Sequence, residues 1–464
     1  MQRDESLYFM GIGGTLMGNL AILAKAKGYQ VSGFDGPIYP PMSDYLDQAG
    51  ITIFDQFDPI QLQLPPDLVI VGNANLPRGN PALEYVLNQG LRYQSGPEWL
   101  GNEVLQDRHV IAVAGTHGKT TTTAMIAWIL HCAEKNPGYL IGGVPIDLPQ
   151  ASALGTGKTF VIEADEYDTS YFDRRAKFMH YRPSTLIITS IEFDHADIFP
   201  DLEAIKYQFQ HLVRAVPAVG SIITPQDDPV IEEVLQRGCW TPRITFQSSL
   251  PSTEPKPNYW AVPEKSDGAE FSVFSEQHGL LGTVNWSLCG MHNVANGLAA
   301  VIAAAQVGVE PNESIAHLSQ FSGVKRRLEI IAQTKNSTIY SDFAHHPTAI
   351  ETTLQGLRGR VGDERIIAVV DPGTHTMSLG TLRAQLKKCC NAADYVIWYQ
   401  SSSVRWNLTE LVESNSSKNR VESNLNELVN YLCRETQQKT HFVLMSNGSF
   451  DGIFRRIVET LATR

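Results

Sequence analysis

The sequence predicts an α/β protein of three parallel-sheet domains in series. Short β-type runs alternate with helical stretches along the chain, the pattern of strands joined by crossover helices. The alternation restarts twice, near "GPEWLGNEVLQDRH" and after "GVKRRLE". At 464 residues the chain also has the length for about three domains. The expected divisions are residues 1–107, 108–324 and 325–464.

In the first segment, "LYFMGIGG", "YQVSGFD", "ITIF" and "DLVIVGNA" read as strands, and "TLMGNLAILAKAKG" as a helix closed by Gly28. The second opens on the strand "HVIAVA" and a glycine-rich loop, followed by the apolar helix "AMIAWIL". It continues through the strands "TFVIEAD" and "TLIITSIEFD", and "SSLPSTEPKPNYWAVPEKSDG" reads as a long surface loop. In the third, "STIYSDFA", "IIAVVDPG", "DYVIWYQ" and "HFVLMSNG" are strands. Apolar content of 43% with 19% charged residues is that of a globular chain. A net charge of −12 argues against a basic nucleic-acid surface. No apolar run approaches the roughly 20 residues of a membrane span, and the N-terminus enters a strand without a signal-peptide pattern. Six cysteines without C-x-x-C spacing read as reduced thiols. Together these features predict a cytoplasmic protein with neither nucleic acid nor membrane as partner.

"AGTHGKTTTTA" carries the strongest chemical signal. Backbone N–H groups of the tight turn through Gly115, Thr116, His117 and Gly118 can surround phosphate oxygens at a helix N-terminus. Lys119 would neutralise the β/γ-phosphates and Thr120 would bind Mg²⁺, with Thr121 beside it. The strict phosphate-loop pattern asks for glycine where Val113 stands. Two acidic clusters follow strands: Glu163, Asp165, Glu166 and Asp168, then Glu192, Asp194, His195 and Asp197. Either alone is a solvated loop or helix cap by default; together, downstream of a phosphate loop, they suit Mg²⁺ beside ATP. "MGIGGTLMG", with Gly11, Gly13, Gly14 and Thr15, resembles a dinucleotide fingerprint with Asp35 downstream, although Leu16 displaces the third glycine. His292, Asn293 and Asn296 suit a base edge or a helix cap, and His345 and His346 suit a ligand site or a core. Arg326 and Arg327 read as a surface pair or as a reach toward γ-phosphate.

The set "GTHGKTTTT", "EADEYD", "EFDHAD", "GMHNVANGLAA", "GVKRRLE" and "DFAHHPT" resembles, in order and over nearly the whole chain, the Mur ligases, whose loop carries the same departure at Val113. The resemblance implies a Rossmann-like UDP-sugar domain, a central phosphate-loop ATPase-like domain and a Rossmann-like C-terminal domain closing over both. It implies ATP and Mg²⁺ as cofactors. Lys119 and Thr120 would serve the phosphates and metal, and Glu163 and His195 a second metal site. Arg327 would lie near the γ-phosphate, Asp342 and His346 at the nucleotide, and His292, Asn293 and Asn296 at the base. Gly11, Gly13, Gly14, Thr15, Asp35 and Asn73 would bind the UDP-sugar. Several members carry a carbamylated lysine where this chain has Gln210, so that modification is not expected.

"GTLMGNLA", "GNANLPRGNP", "EADEYDTSYFDRRAKFMHYRP" and "MSNGSFDGI" look like the branch that adds L-alanyl-γ-D-glutamyl-meso-diaminopimelate to UDP-N-acetylmuramate in murein recycling. The alternative is the branch adding L-alanine in peptidoglycan biosynthesis. The tripeptide branch usually carries "EPRSNT" where this chain has "DPGTHT", so Gly373 replaces an arginine. His375 or Arg383 is then the expected peptide anchor. An ATP-operated switch without an amide product, and a nicotinamide oxidoreductase on "GIGGTLMG", are the other classes. The first leaves the metal set unused and the second leaves the phosphate loop unexplained.

Overall fold

The computed structural model describes residues 5–73, 76–252, 254–412, 418–434, 439–448 and 450–462. The chain divides into two compact units. One comprises residues up to 191 with 203–246 and 299–318; the other comprises 192–202, 247–298 and 319 onward.

In the first unit, β1 (Ser6–Met10), β2 (Gln30–Phe34), β3 (Thr52–Phe54), β4 (Leu68–Val71) and β5 (Tyr93–Ser95) form an all-parallel sheet. Their order is β3-β2-β1-β4-β5. The order reverses between β1 and β4, which opens a crevice at their carboxyl ends. The helix Thr15–Ala26 buries Met17 through Ala24 and closes where Gly28 takes a φ of +99° and donates to the Lys25 carbonyl. That conformation is open to glycine without a Cβ penalty.

The next sheet contains β6 (His109–Ala114), β7 (Gly138–Leu140), β8 (Ser152–Ala153), β9 (Thr159–Glu163), β12 (Thr185–Ile188), β13 (Ser221–Pro225) and β14 (Arg243–Gln247). A separate hairpin, β10 (Asp168–Ser170) and β11 (Asp173–Ala176), lies between β9 and β12 in sequence. These strands run in the order β14-β13-β12-β6-β9-β7-β8, part of a longer sheet, and are parallel except for β8. "HVIAVA" is buried from Val110 onward, as a strand covered on both faces must be. The helix Lys119–Cys132 that follows is buried over nearly its whole circumference.

The second unit corrects one expectation. Tyr259–Pro263, inside the expected surface loop, is a strand, β15; it pairs antiparallel with β16 (Glu270–Ser275), which pairs with β17 (Gly279–Asn285). Trp260 stacks on Phe274 across the pair, an aromatic cross-strand contact that outweighs the loop-like composition around it. The last sheet contains β18 (Glu329–Gln333), β19 (Ser337–Asp342), β20 (Arg365–Val370), β21 (Tyr395–Tyr399), β22 (Asn419–Glu422) and β23 (Thr440–Met445). Its order is β18-β19-β23-β20-β21-β22, parallel except for β18. Ile350, Leu354, Leu357 and Leu386 pack in one core and Leu428, Leu432, Ile453 and Ile457 in another. Insertion of β23 between β19 and β20 brings Asp342, Ser446 and Asp371 together at the carboxyl edge. The Ser446 N–H donates to the Asp342 carbonyl and its hydroxyl to Asp371, each at 3.1 Å.

No helix among the described residues is long and apolar enough to cross a membrane. The six cysteines form no disulfide.

Candidate active site

The loop between β6 and the helix Lys119–Cys132 is built around two glycines of positive φ, Gly115 at +132° and Gly118 at +80°. Gly115 has no room for a side chain: a Cβ there would lie 2.1 Å from Thr189 Oγ1. The residues just past β12 form the loop's second wall. Thr116 N–H donates to the Ser190 carbonyl (2.9 Å), His117 N–H to Ser190 Oγ (3.2 Å), and Thr189 Oγ1 to the His117 carbonyl (2.5 Å). Thr189 and Ser190 were not among the residues the sequence singles out, although they follow a buried strand just as the acidic clusters do.

Lys119 folds back over this loop, donating to the Gly115 carbonyl at 2.5 Å and pairing with Glu166 at 3.6 Å. Thr120, buried in the first turn with Thr121, donates to Glu163 Oε1 at 3.1 Å. Glu163 Oε2 accepts the Gly142 N–H at 2.9 Å. The structure thus sorts the first acidic cluster. Glu163 meets the threonine, Glu166 the lysine, and Asp165 pairs with Lys177 at 3.2 Å. Asp168 pairs with Arg174, and its carbonyl accepts from the Asn73 side chain at 2.8 Å.

At the crevice of the first sheet, Gly11 has a φ of +77° and Gly14 precedes the helix beginning at Thr15. Asp35 spans the turn: Oδ2 accepts the Gly13 N–H and Oδ1 the Gly36 N–H, both at 2.8 Å. Gly11, Gly13, Gly14, Thr15 and Asp35 therefore come together. Asn73 stands just beyond β4, the strand across the switch point.

In the second unit, His195 has a φ of +56°, and its N–H donates to Asp194 at 2.7 Å. Glu192 accepts from Thr348 Oγ1 at 2.7 Å and lies 3.6 Å from His346. The Ala196 N–H donates to Thr376 Oγ1 at 3.1 Å. Neither threonine was foreseen. Glu163 belongs to the first unit and His195 to the second.

Asp342 is buried. Its two oxygens accept the Ala344 and Leu328 N–H groups, each at 2.7 Å. Burial pushes its carboxyl above the usual range, against the pull of Arg327 and both donors. Of the arginine pair, Arg326 is a structural pin between the Phe343 and Phe454 rings, donating to the Ser446 and Gly448 carbonyls. Arg327 lies over Phe343 at 5.0 Å. Asn293 donates to the Cys289 carbonyl at 2.7 Å, Asn296 to Asn293 at 3.4 Å, and His292 packs against Gly290, where a Cβ would be 2.4 Å from its ring. His375 lies 3.9 Å from Asp197, and Arg383 pairs with Glu410 at 3.1 Å over the Trp406 ring. Gln210 donates to the Arg237 carbonyl.

Three family patterns match in series. Residues 6–108 match the Mur ligase family catalytic domain, 113–304 the Mur ligase middle domain, and 326–448 the Mur ligase glutamate ligase domain. The chain belongs to the Mur ligases. The UDP-N-acetylmuramate–L-alanyl-γ-D-glutamyl-meso-2,6-diaminoheptandioate ligase of Escherichia coli K12 is 43% identical, covering 99% of this chain and 98% of its own. The crystal structure of a murein peptide ligase from Psychrobacter arcticus 273-4 is 42% identical, covers 99% of both chains and has a TM-score of 0.76. A UDP-N-acetylmuramate–L-alanine ligase of Caldicellulosiruptor bescii is 32% identical, over 84% of this chain and 82% of its own. This Mur ligase is an ATP-dependent amide-forming enzyme, and the match favours the tripeptide acceptor over L-alanine.

Proposed function

We propose that this Mur ligase joins L-alanyl-γ-D-glutamyl-meso-diaminopimelate to UDP-N-acetylmuramate in murein recycling, in the cytoplasm. One observation carries the reading. Lys119, Thr120, Glu163 and Glu166 form a connected phosphate-loop centre within a chain that matches tripeptide ligases from end to end.

The chemistry begins with an unreactive group. A carboxylate resists attack by an amine because its oxygen is a poor leaving group. Transfer of the ATP γ-phosphoryl group to the lactyl carboxylate forms an acyl–O–P bond, breaks the terminal phosphoanhydride and releases ADP. The peptide's free α-amine then adds to the acyl carbon. The tetrahedral intermediate expels phosphate, and the nitrogen gives up its proton. The N-terminal end of the helix Lys119–Cys132 and the loop N–H groups would hold the triphosphate, and Lys119 would neutralise charge on the transferring group. To do so, Lys119 would exchange its contacts with the Gly115 carbonyl and Glu166 for phosphate oxygens.

The Thr120 hydroxyl beside a carboxylate is a hard-oxygen pair of the kind Mg²⁺ selects. Thr120 would hold one ion beside Glu163, and by family likeness Glu163 and His195 would serve a second. Mg²⁺ supplies charge neutralisation at the phosphate oxygens. Gly11, Gly13, Gly14, Thr15, Asp35 and Asn73 would form the UDP-sugar site, and Arg327, Asp342 and His346 would serve the nucleotide.

The test is phosphate release with UDP-N-acetylmuramate, ATP and either tripeptide or L-alanine. Release with tripeptide, absent or slow with L-alanine, is the expected result. Efficient turnover of L-alanine with tripeptide ignored would select the alanine-adding reaction.

A further inference from the structure

The segment read as a base edge, His292, Asn293 and Asn296, sits at the start of the helix Met291–Ala305. What holds that start in place lies seventy residues away, on the helix Pro347–Val361. Arg360, in its last turn, donates to the Asp267 carboxylate at 3.0 Å, to the Ser287 carbonyl at 2.6 Å and to the Leu288 carbonyl at 2.5 Å. Asp267 holds the same turn from its other side, because its carbonyl accepts the Gly290 N–H at 2.7 Å. One turn earlier, Gly356 lets the two backbones meet. A Cβ at 356 would lie 2.7 Å from Gly290 Cα and 3.0 Å from Gly290 N. Those are backbone atoms, which cannot swing aside. Gly290 itself has a φ of +94°, and a Cβ there would lie 2.4 Å from the His292 ring.

These observations are independent, one electrostatic and one steric, and they converge on residues 287–290. We infer that Arg360 and Gly356 are positioning residues for nucleotide base selection: they fix the 287–290 turn and thereby set His292, Asn293 and Asn296 against the purine. The inference rests on the reading of those three residues as the base site. Base discrimination depends on buried polar partners being placed to within fractions of an ångström. A loosened turn should therefore cost selectivity before it costs chemistry.

The experiment measures kcat and KM with ATP and with GTP, by phosphate release from the full chain. Arg360→Ala and Gly356→Ala are compared with Arg358→Ala. Arg358 lies on the same helix but bonds the Ala392, Gly362 and Glu364 carbonyls instead. His292→Ala and Asn296→Ala test the base site itself. Arg360→Ala and Gly356→Ala should raise the ATP KM by about tenfold, the scale of one charge-assisted hydrogen bond. The ATP-over-GTP preference should fall by a similar factor and kcat should hold within about twofold, while Arg358→Ala leaves the preference intact. If the His292 and Asn296 variants keep the preference, the base-site reading fails. If they lose it while the Arg360 and Gly356 variants keep it, the positioning role fails alone. Equal losses of kcat for both nucleotides, with the preference unchanged, also overturn it. A thermal unfolding midpoint for each variant separates misfolding from loosening, and Arg360→Lys, which restores charge but not the three-way fork, should recover selectivity only in part.

Discussion

Glu163→Gln and Glu166→Gln should fail in different ways, although the two residues are only three apart, at the end of β9 and just past it. Glu163 accepts from Thr120 at 3.1 Å and from Gly142 at 2.9 Å. A glutamine can keep the Gly142 bond through its carbonyl oxygen, but it offers the Thr120 side an uncharged amide. With Glu163 on the ion as proposed, the loss is one charge-assisted contact, about 1.5–3 kcal/mol. At 1.4 kcal/mol per factor of ten, the free Mg²⁺ needed for half-maximal activity should rise roughly ten- to hundredfold. Glu166 faces Lys119 at 3.6 Å, and Lys119 is also held by the Gly115 carbonyl. Its replacement should lower kcat through the lysine and leave the Mg²⁺ midpoint within about twofold. The assay is phosphate release at saturating ATP, UDP-N-acetylmuramate and tripeptide, with free Mg²⁺ varied. A midpoint shift in Glu166→Gln with none in Glu163→Gln would reverse the assignment.

Lys119→Ala should leave the fold intact and cost on the order of 3 kcal/mol or more in the barrier; a folded variant with most of its activity contradicts the loop assignment. Gly115→Ala adds a Cβ 2.1 Å from Thr189 Oγ1 at a φ of +132°, so urea unfolding should show a loss of roughly 2–4 kcal/mol, and a neutral result would mean the loop relaxes freely. Asp173 is held down to about 2, first by the side-chain hydrogen bond from Arg175. A depressed carboxyl stabilises above its unfolded value of 3.8 and loses that contribution as pH falls toward 2, so the stability gap between wild type and Asp173→Asn should narrow over that interval; a gap that widens there refutes the pairing. His375→Ala should raise the tripeptide KM more than it lowers kcat, and a pure kcat loss would place His375 with the Asp197 loop instead of the peptide.

What the sequence made legible was whatever lay contiguous along the chain. Strand, glycine turn, lysine and helix occur within one short stretch, so the phosphate loop could be read directly. The glycine turn is legible for the same reason, whereas Asp35, 22 residues beyond Gly13, is read from the spacing of the fingerprint. The division of labour between Glu163 and Glu166 was not legible, because spacing places both past one strand and only partners distinguish them. Thr189 and Ser190 escaped because they reach the loop from a different strand of the sheet. β15 was hidden by proline, lysine and serine on either side; its evidence is Phe274, a cross-strand partner that no local window contains. Arg326 and Arg327 are alike as a dipeptide and both lie over Phe343; contact with Phe454 and the bonds to the Ser446 and Gly448 carbonyls single out Arg326 as the pin.

The departure at "DPGTHT" also has a packing logic. Gly373 faces the carboxylate of Asp371: a Cβ there would be 3.1 Å from Asp371 Oδ1 and 3.1 Å from Ser403 Oγ. Those atoms are already engaged, since Ser401 donates to Asp371 at 3.1 Å, Ser446 donates to its other oxygen at 3.1 Å, and Ser401 and Ser403 meet at 2.8 Å. Any side chain at 373 makes that network yield by a few tenths of an ångström, so an arginine restored alone would act on residues in direct contact and its effect would not add to theirs. Gly373 and the serines around Asp371 therefore form one packed cluster at the carboxyl edge of the last sheet. The phosphate-loop centre shares no residue with this cluster, so a substitution at Gly373 tests the expected peptide site without touching Lys119, Thr120, Glu163 or Glu166.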